Sequence, residues 1–252
     1  MPYPAVHLIG ISGIPEVRPG DDLAYLIVQA SHAQGTPLHN GDVVVITQKI
    51  VSKAEGRLVD LGTVEPSPFA RHIAQQWDKD PRHVEVVLRE SRRIVRMDRG
   101  VIICETHHGF ICANAGVDAS NIPGEGVVSL LPQDPDASAR RVRQGIRARA
   151  GVTVAVIISD TFGRPWREGT TNVAIGVAGM EPLVDYRGRK DTYGKELRVS
   201  IAAVADEIAS AADLVMGKTG LVPVVIVRGY PYQPTEGSAR ALLREPSQDM
   251  FR

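Results

Sequence analysis

The apolar run 152–158 ends in Ser159-Asp160-Thr161-Phe162-Gly163-Arg164-Pro165-Trp166-Arg167, a carboxylate, a hydroxyl, a glycine and two arginines in quick succession. A short run rich in β-branched residues predicts a buried strand rather than a helix. A strand end holds such groups rigidly, and oxygen donors beside arginines suit a hard cation carrying a polyphosphate. The same residues also fit a plain structural role, with Asp160 and Thr161 capping the next element and the arginines on the surface.

A second oxygen-rich stretch, 114–124, carries Asp118 and Asn121. Asp118 and Asp160 make the best pair of hard-metal ligands, both expected in Gly-flanked polar loops, with Thr161 as a further oxygen. Lys49, Lys53, Arg164 and Arg167 fall just past expected strand ends, where phosphate-binding groups would converge, although each alone also reads as a surface charge. Gly217-Lys218-Thr219 looks like the tail of a phosphate-binding loop, but Ala212 stands where that motif needs its first glycine. Lys218 also reads as a solvated residue after a helix C-terminus. Gly10-Ile11-Ser12-Gly13 lacks the third glycine of a dinucleotide fingerprint. His107 and His108 are adjacent, so on a strand they would face opposite ways, and a hydrogen-bonding loop role outweighs metal ligation. No Gly-x-Ser-x-Gly elbow or Cys/His pairing offers a covalent nucleophile.

The elements that must position these groups belong to a chain of 252 residues, long enough for one large domain or two smaller ones. Hydrophobic content of 43% and charged content of 23% are those of an ordinary globular protein. Lys+Arg and Asp+Glu balance at 29 each, so any anion site must be local rather than a product of bulk charge. That balance and an aromatic content of 5% argue against nucleic-acid partners. Two cysteines, Cys104 and Cys112, make neither a disulfide framework nor a zinc site and read as small buried hydrophobes. The N-terminal stretch lacks a basic region followed by an apolar one, and no segment reaches the roughly 18 apolar residues of a membrane span. A cytoplasmic, membrane-free protein is expected.

Along the chain, a short strand from His7 breaks at Gly13 and Pro15, and Asp21-Asp22 cap a helix running to about 33. A strand is expected over 43–47, then a polar stretch from Gln48 to Gly56. Helices over 68–77 and 81–90 begin at prolines. Strands over 93–97, 101–105 and 110–113 read as an antiparallel meander. A helix over 134–149 is introduced by Asp134-Pro135-Asp136, strands follow over 152–158 and 173–178, then a charged loop over 185–191. A long helix over 197–215, a strand over 222–227 and a short helix over 238–244 close the chain. Strands and helices do not alternate strictly, which favours α+β, with mixed, largely antiparallel sheets and packed helices. A second lobe would be an insertion, from about 65 to 116.

Taken together, several segments carry a specific resemblance. They are Gly10-Ile-Ser-Gly-Ile-Pro15 with Pro19-Gly-Asp-Asp22, Gly41-Asp-Val-Val-Val45, Gln48-Lys49-Ile-Val-Ser-Lys53-Ala-Glu-Gly56, Ala115-Gly-Val-Asp118-Ala-Ser-Asn121, the 159–167 segment, and Ala205-Asp-Glu-Ile208. In this combination and order, over essentially the whole chain, the sequence resembles the coenzyme F420:L-glutamate ligase family. The resemblance implies a two-lobed fold and an intertwined homodimer with the active site near the subunit interface. It also implies a GTP-dependent reaction joining L-glutamate to the lactyl-phosphate carboxylate of F420-0, with further γ-linked glutamates, through an acyl phosphate and release of GDP and phosphate. Mn²⁺ or Mg²⁺ would serve, with K⁺ as an additional cation. By resemblance, Asp118 and Asp160 hold the first metal and Thr161 contacts a second. Ile14, Pro15, Glu16, Val17, Gln48, Lys49, Lys53 and Asn121 form the GTP set, joined by the segment Met216, Gly217, Lys218, Thr219, Gly220 and Leu221. Archaeal members carry Glu or Gln where this chain has Lys218, and a lysine there could neutralise phosphate directly. Arg164, with Arg167, Arg187 and Arg189, would hold anionic substrates. Some actinobacterial relatives carry an additional flavin-type reductase domain, and this chain resembles the free-standing form. Two other functions fit the same inventory: a nucleotide-binding regulatory protein, and a metal-dependent phosphohydrolase.

Overall fold

A computed structural model describes residues 4–250. Residues 1–3 and 251–252, which include part of the N-terminal stretch read above for a targeting segment, lie outside the described residues. The chain runs β1 (His7–Ile11), α1 (Leu23–Ala33), β2 (Val43–Thr47), α2 (Gln48–Ala54), β3 (Leu58–Asp60), α3 (Pro68–Trp77) and α4 (Pro81–Arg89). There follow β4 (Ser91–Asp98), β5 (Val101–Thr106), β6 (Ile111–Ala113), β7 (Val127–Ser129) and α5 (Pro135–Ala150). The remainder is β8 (Ala155–Arg164), β9 (Arg167–Ala178), β10 (Val184–Asp185), β11 (Ile201–Ala202), α6 (Val204–Met216) and β12 (Val224–Arg228).

The main sheet has the order β1-β12-β2-β8-β9, and only the β2–β8 pair is parallel. Its central strands β2, β12 and the first part of β8 are rich in β-branched residues, as strands covered on both faces are. Val44, Ile46, Val156, Ile158, Val224 and Ile226 enter one core with Ile27 of α1 and Ile146 of α5. The alternate residues Val43, Val45, Ala155, Ile157, Val225 and Val227 enter another with Ala205, Ile208, Ala209 and Ala212 of α6. Removing each such valine or isoleucine from water contributes about 1.5–3 kcal/mol. At Gly176 an added Cβ would stand 2.5 Å from the Pro135 carbonyl oxygen, so β9 admits the start of α5 only because that side chain is absent.

A third core gathers α3, α4, β5 and the segments flanking them, from Leu61 through Ile73, Val87 and Cys104 to Leu130. It reaches beyond residues 65–116 at both ends. The antiparallel sheets β3-β7 and β4-β5-β6 belong to this part of the chain. The class is α+β with largely antiparallel sheets, as the mixed order of elements implied. No helix among the described residues is long and apolar enough to cross a membrane.

The expected starts of α1, α3, α4 and α5 hold to within a residue. Asp22, Ser67, Asp80 and Asp134 each accept a backbone N–H in the first turn of α1, α3, α4 and α5. Other expectations need correction. Helix α6 starts at Val204, not 197, because Ile201–Ala202 pairs with β10 and the Tyr186 N–H donates to the Ser200 carbonyl. The 152–158 strand begins at Ala155, since Thr153 is bonded to Asn40 and Gly41, and it continues to Arg164. Asp160 and Thr161 are therefore strand residues, not loop residues. Their partner strand begins at Arg167 rather than 173. The polar stretch after β2 is the helix α2, and the closing helix is one 3₁₀ turn, Ala239–Leu242.

Candidate functional site

Strands β2 and β8 run parallel and in register, Thr47 beside Ser159, so both deliver their C-terminal continuations to one edge of the sheet. From β2 comes α2, which starts with no turn between and presents Lys49 and Lys53 one helical turn apart. From β8 come Asp160 and Thr161. The opposite wall is the segment after β6. There Asn114, Ala115 and Gly116 take positive φ in succession, at 52°, 53° and 73°. This left-handed turn, unusual for an alanine, redirects the chain into Asp118, which forms a β-bridge with Ser129. The end of α6 supplies the third wall with Gly217 and Lys218.

These walls enclose a cavity of about 960 Å³, at the upper end of the size range of small-molecule sites. It is lined by Ile14, Pro15, Glu16, Val17, Gln48, Lys49, Lys53, Asp118, Asn121, Asp160, Thr161, Met216, Gly217, Lys218, Thr219 and Leu221, among others. The structure thus brings together nearly all of the expected set. Gly220 and Arg164 are outside this lining. Arg164 sits at the exposed end of the β8–β9 hairpin, its guanidinium donating to the Glu168 carbonyl at 2.7 Å. Arg187 is paired with Asp185 at 2.6 Å, and Arg189 lies over the Tyr186 ring. His107 and His108 serve as loop hydrogen-bonding groups, on the carbonyls of Arg89 and Pro132.

Within the cavity the Lys49 ammonium is 2.5 Å from Asp118 Oδ2 and 3.2 Å from Ser129 Oγ. Asp118 also accepts from the Ser120 N–H at 2.8 Å and hydroxyl at 2.6 Å. Burial pushes the Asp118 carboxyl up, but these bonds from Lys49 and Ser120 outweigh it and hold the pKa below the ordinary value. Asp160 is the opposite case. Burial, with the neighbouring Asp118 charge adding to it, raises it to about 6 despite the Thr161 N–H, Lys49 and Lys218. The two carboxyls therefore share one electrostatic field with divergent proton affinities. Lys53 donates to Glu16 at 2.6 Å. Lys218 donates to Thr161 Oγ1 at 2.8 Å and lies 3.5 Å from Asp213.

The lining carries three ammonium groups, Lys49, Lys53 and Lys218, against four carboxyls, Glu16, Asp118, Asp160 and Asp213. A polyphosphate would meet no net positive charge there unless a cation came with it. Among the described residues no group of three or more His, Cys, Asp or Glu side chains could hold a metal. Two carboxylates with a hydroxyl do fit a hard divalent ion that fills its other positions with phosphate and water, as magnesium sites do. The raised pKa of Asp160 marks the carboxylate that such an ion would neutralise. Ser120, Ser129, Asn172 and Asp213 were not foreseen. Asn172 had one legible signal, a polar side chain at the edge of an apolar strand run.

A family model described as F420-0:Gamma-glutamyl ligase matches residues 12–229. The chain is 48% identical to the coenzyme F420:L-glutamate ligase of Methanothermobacter thermautotrophicus over 98% of its length and 99% of that protein's. It is 52% identical to the coenzyme F420:L-glutamate ligase of Methanopyrus kandleri, over 94% of each chain. The protein of the same name from Methanocaldococcus jannaschii is 42% identical, over 98% and 97%. A match of this extent, together with the cavity built from the segments that carry the resemblance, places the chain in the F420-0:gamma-glutamyl ligase family.

Proposed function

We propose that the chain is a GTP-dependent ligase that joins L-glutamate to coenzyme F420-0 and then adds γ-linked glutamates, releasing GDP and phosphate. The observation that supports this best is the convergence of Asp118 and Asp160 with Lys49, Lys53 and Lys218 on one cavity, in a chain nearly coextensive with relatives named for that ligation.

Amide formation from a carboxylate needs an activated acyl group. In the proposed reaction a substrate carboxylate oxygen bonds to the γ-phosphorus of GTP as the β–γ bridging bond breaks, giving an acyl phosphate and GDP. The glutamate amine then bonds to the acyl carbon, phosphate leaves with the C–O electron pair, and the nitrogen loses a proton. Asp118 and Asp160, with Thr161, would hold Mn²⁺ or Mg²⁺, which supplies charge neutralisation of the phosphates when bound. Lys49, which donates to Asp118 and to Ser129, has one N–H left to offer a phosphate oxygen. Lys53, paired with Glu16, lines the same cavity, and Gln48 keeps α2 in place by donating to the Leu130 carbonyl at 3.0 Å. No residue has to bond covalently to substrate, so the protein's contribution is placement and electrostatics.

The test is GDP release measured with and without L-glutamate and F420-0, with mass spectrometry of the product. Ligation requires multiple-turnover GDP release only when both are present and a product heavier by one or more glutamyl residues. Phosphate release without glutamate would mark a phosphohydrolase, and GTP binding without turnover a regulatory protein. The same reading takes K⁺ as an additional cation and the protein as a cytoplasmic homodimer. Sedimentation would test the homodimer.

A further inference from the structure

Asn172 lies on β9 directly opposite Thr161 of β8 and is 3% exposed. Its backbone carbonyl accepts the Ser210 hydroxyl of α6 at 2.8 Å, which fixes the residue against that helix. The Thr161 hydroxyl is 2.7 Å from Asn172 Oδ1 and 2.8 Å from the Lys218 ammonium. An ammonium can only donate, so the Thr161 oxygen must accept from Lys218 and its own proton must go elsewhere. Asn172 Oδ1 is the acceptor that takes it, at the usual O–H···O separation. The Asn172 amide nitrogen faces the buried Ser159 hydroxyl at 3.5 Å, which keeps the oxygen turned towards Thr161.

We propose that Asn172 is a positioning residue for the nucleotide site. By taking the Thr161 proton it commits Thr161 Oγ1 to acting as an acceptor towards the cavity, and this seats the Lys218 ammonium beside Asp160 as a fixed positive group for phosphate. Asn172 makes no hydrogen bond to Lys218 itself, so the coupling runs only through Thr161. The inference rests on the reading of the cavity as a GTP site, and it concerns binding rather than ligation.

The test is a double-mutant cycle on the dissociation constant for GTP with Mn²⁺, measured by calorimetry in the absence of F420-0. Lys218→Met removes a charge-assisted contact and should weaken GTP binding about tenfold. Asn172→Leu should weaken it roughly three- to tenfold in the wild-type chain and less than about twofold in the Lys218→Met chain, because its target has gone. If leucine does not fold, Asn172→Ala, which has no acceptor to offer Thr161, replaces it in the cycle. Equal losses in both backgrounds would reduce Asn172 to a packing residue and overturn the proposal. Absence of GTP binding by the wild-type chain would overturn both this inference and the nucleotide reading. Normal GTP binding without glutamylation would overturn the ligase reading alone.

Discussion

Asp160→Asn should make the metal-free protein more stable while removing its response to Mn²⁺. Burial, with Asp118 nearby, lifts the Asp160 carboxyl from its ordinary 3.8 to about 6. At about 1.4 kcal/mol per pH unit, that difference corresponds to roughly 3 kcal/mol in favour of the neutral form in the folded chain. Because the folded pKa is the higher one, the wild-type protein has this stability at pH 4 and below. It loses it as pH rises from about 4 to 6 and is flat above that, where both states are ionised. Asparagine has no charge to desolvate at any pH. The variant and wild-type melting temperatures should therefore nearly coincide at pH 4, separate through pH 6, and stay about 5–10 °C apart at pH 8, for a chain of this size. Adding Mn²⁺ at pH 8 should raise the wild-type melting temperature by mass action and leave the variant unmoved. The assay is differential scanning calorimetry in chelator and then in Mn²⁺. Parallel curves across pH, or a variant less stable than wild type at pH 8, would refute the reasoning, because Asp160 would then be compensated without any cation.

Lys49→Met takes from Asp118 its ion-pair partner among the described residues, and from Asp160 the stronger of the two lysine charges that favour its ionised form. GTP affinity should fall at least about tenfold by calorimetry. Arg228→Met leaves the Asp42 carboxylate, 1% exposed, without the two N–H bonds it now accepts at 2.9 and 2.8 Å. Urea unfolding should show a loss of about 3 kcal/mol, partly recovered by adding Asp42→Asn. Cys112, raised to about 12 by burial, and the buried Cys104 should resist a disulfide reagent in the folded protein and react only after unfolding. Fast labelling of the folded chain would mean that the third core opens readily.

The legible parts of the fold were those where local chemistry and tertiary packing agree. Asp22, Pro68, Pro81 and the Asp134-Pro135-Asp136 stretch each mark a helix start with an apolar face behind it, so each start could be placed to within a residue. The start of α6 was not legible. Residues 197–203 carry no helix breaker, and their extended form depends on β10, a pairing with no local trace. Nor was α2, because β2 runs into it at Thr47 without a glycine, a proline or a side-chain cap. The candidate site was readable as a set of segments, since oxygen donors and lysines clustered after apolar runs. Its geometry was not. Asp160 and Thr161 looked like loop residues because their neighbours are polar, whereas the hairpin pairs Thr161 with Asn172 far along the chain. Arg164 shared the signal of its neighbours, yet the strand carries it onwards to the hairpin tip.

That extension of β8 gives the proposed polyphosphate site its physical basis in a chain with no net charge. Were Asp160 in a mobile loop, water would solvate it and its pKa would stay near 3.8, leaving little reason to recruit a cation. On a strand its backbone is held by β9, its side chain is desolvated by the cavity walls, and Asp118 lies close enough to oppose its ionisation. Lys49 cannot serve both carboxylates fully, since its ammonium is already 2.5 Å from Asp118. One negative charge is thus left under-compensated beside three lysines, and on the proposed reading a divalent ion and a phosphate chain would bind better together than either alone. Coupled binding follows as an expected outcome: Mn²⁺ should tighten GTP and GTP should tighten Mn²⁺ by the same factor. Independent affinities for the two would mean that Asp160 and the lysines act as separate sites.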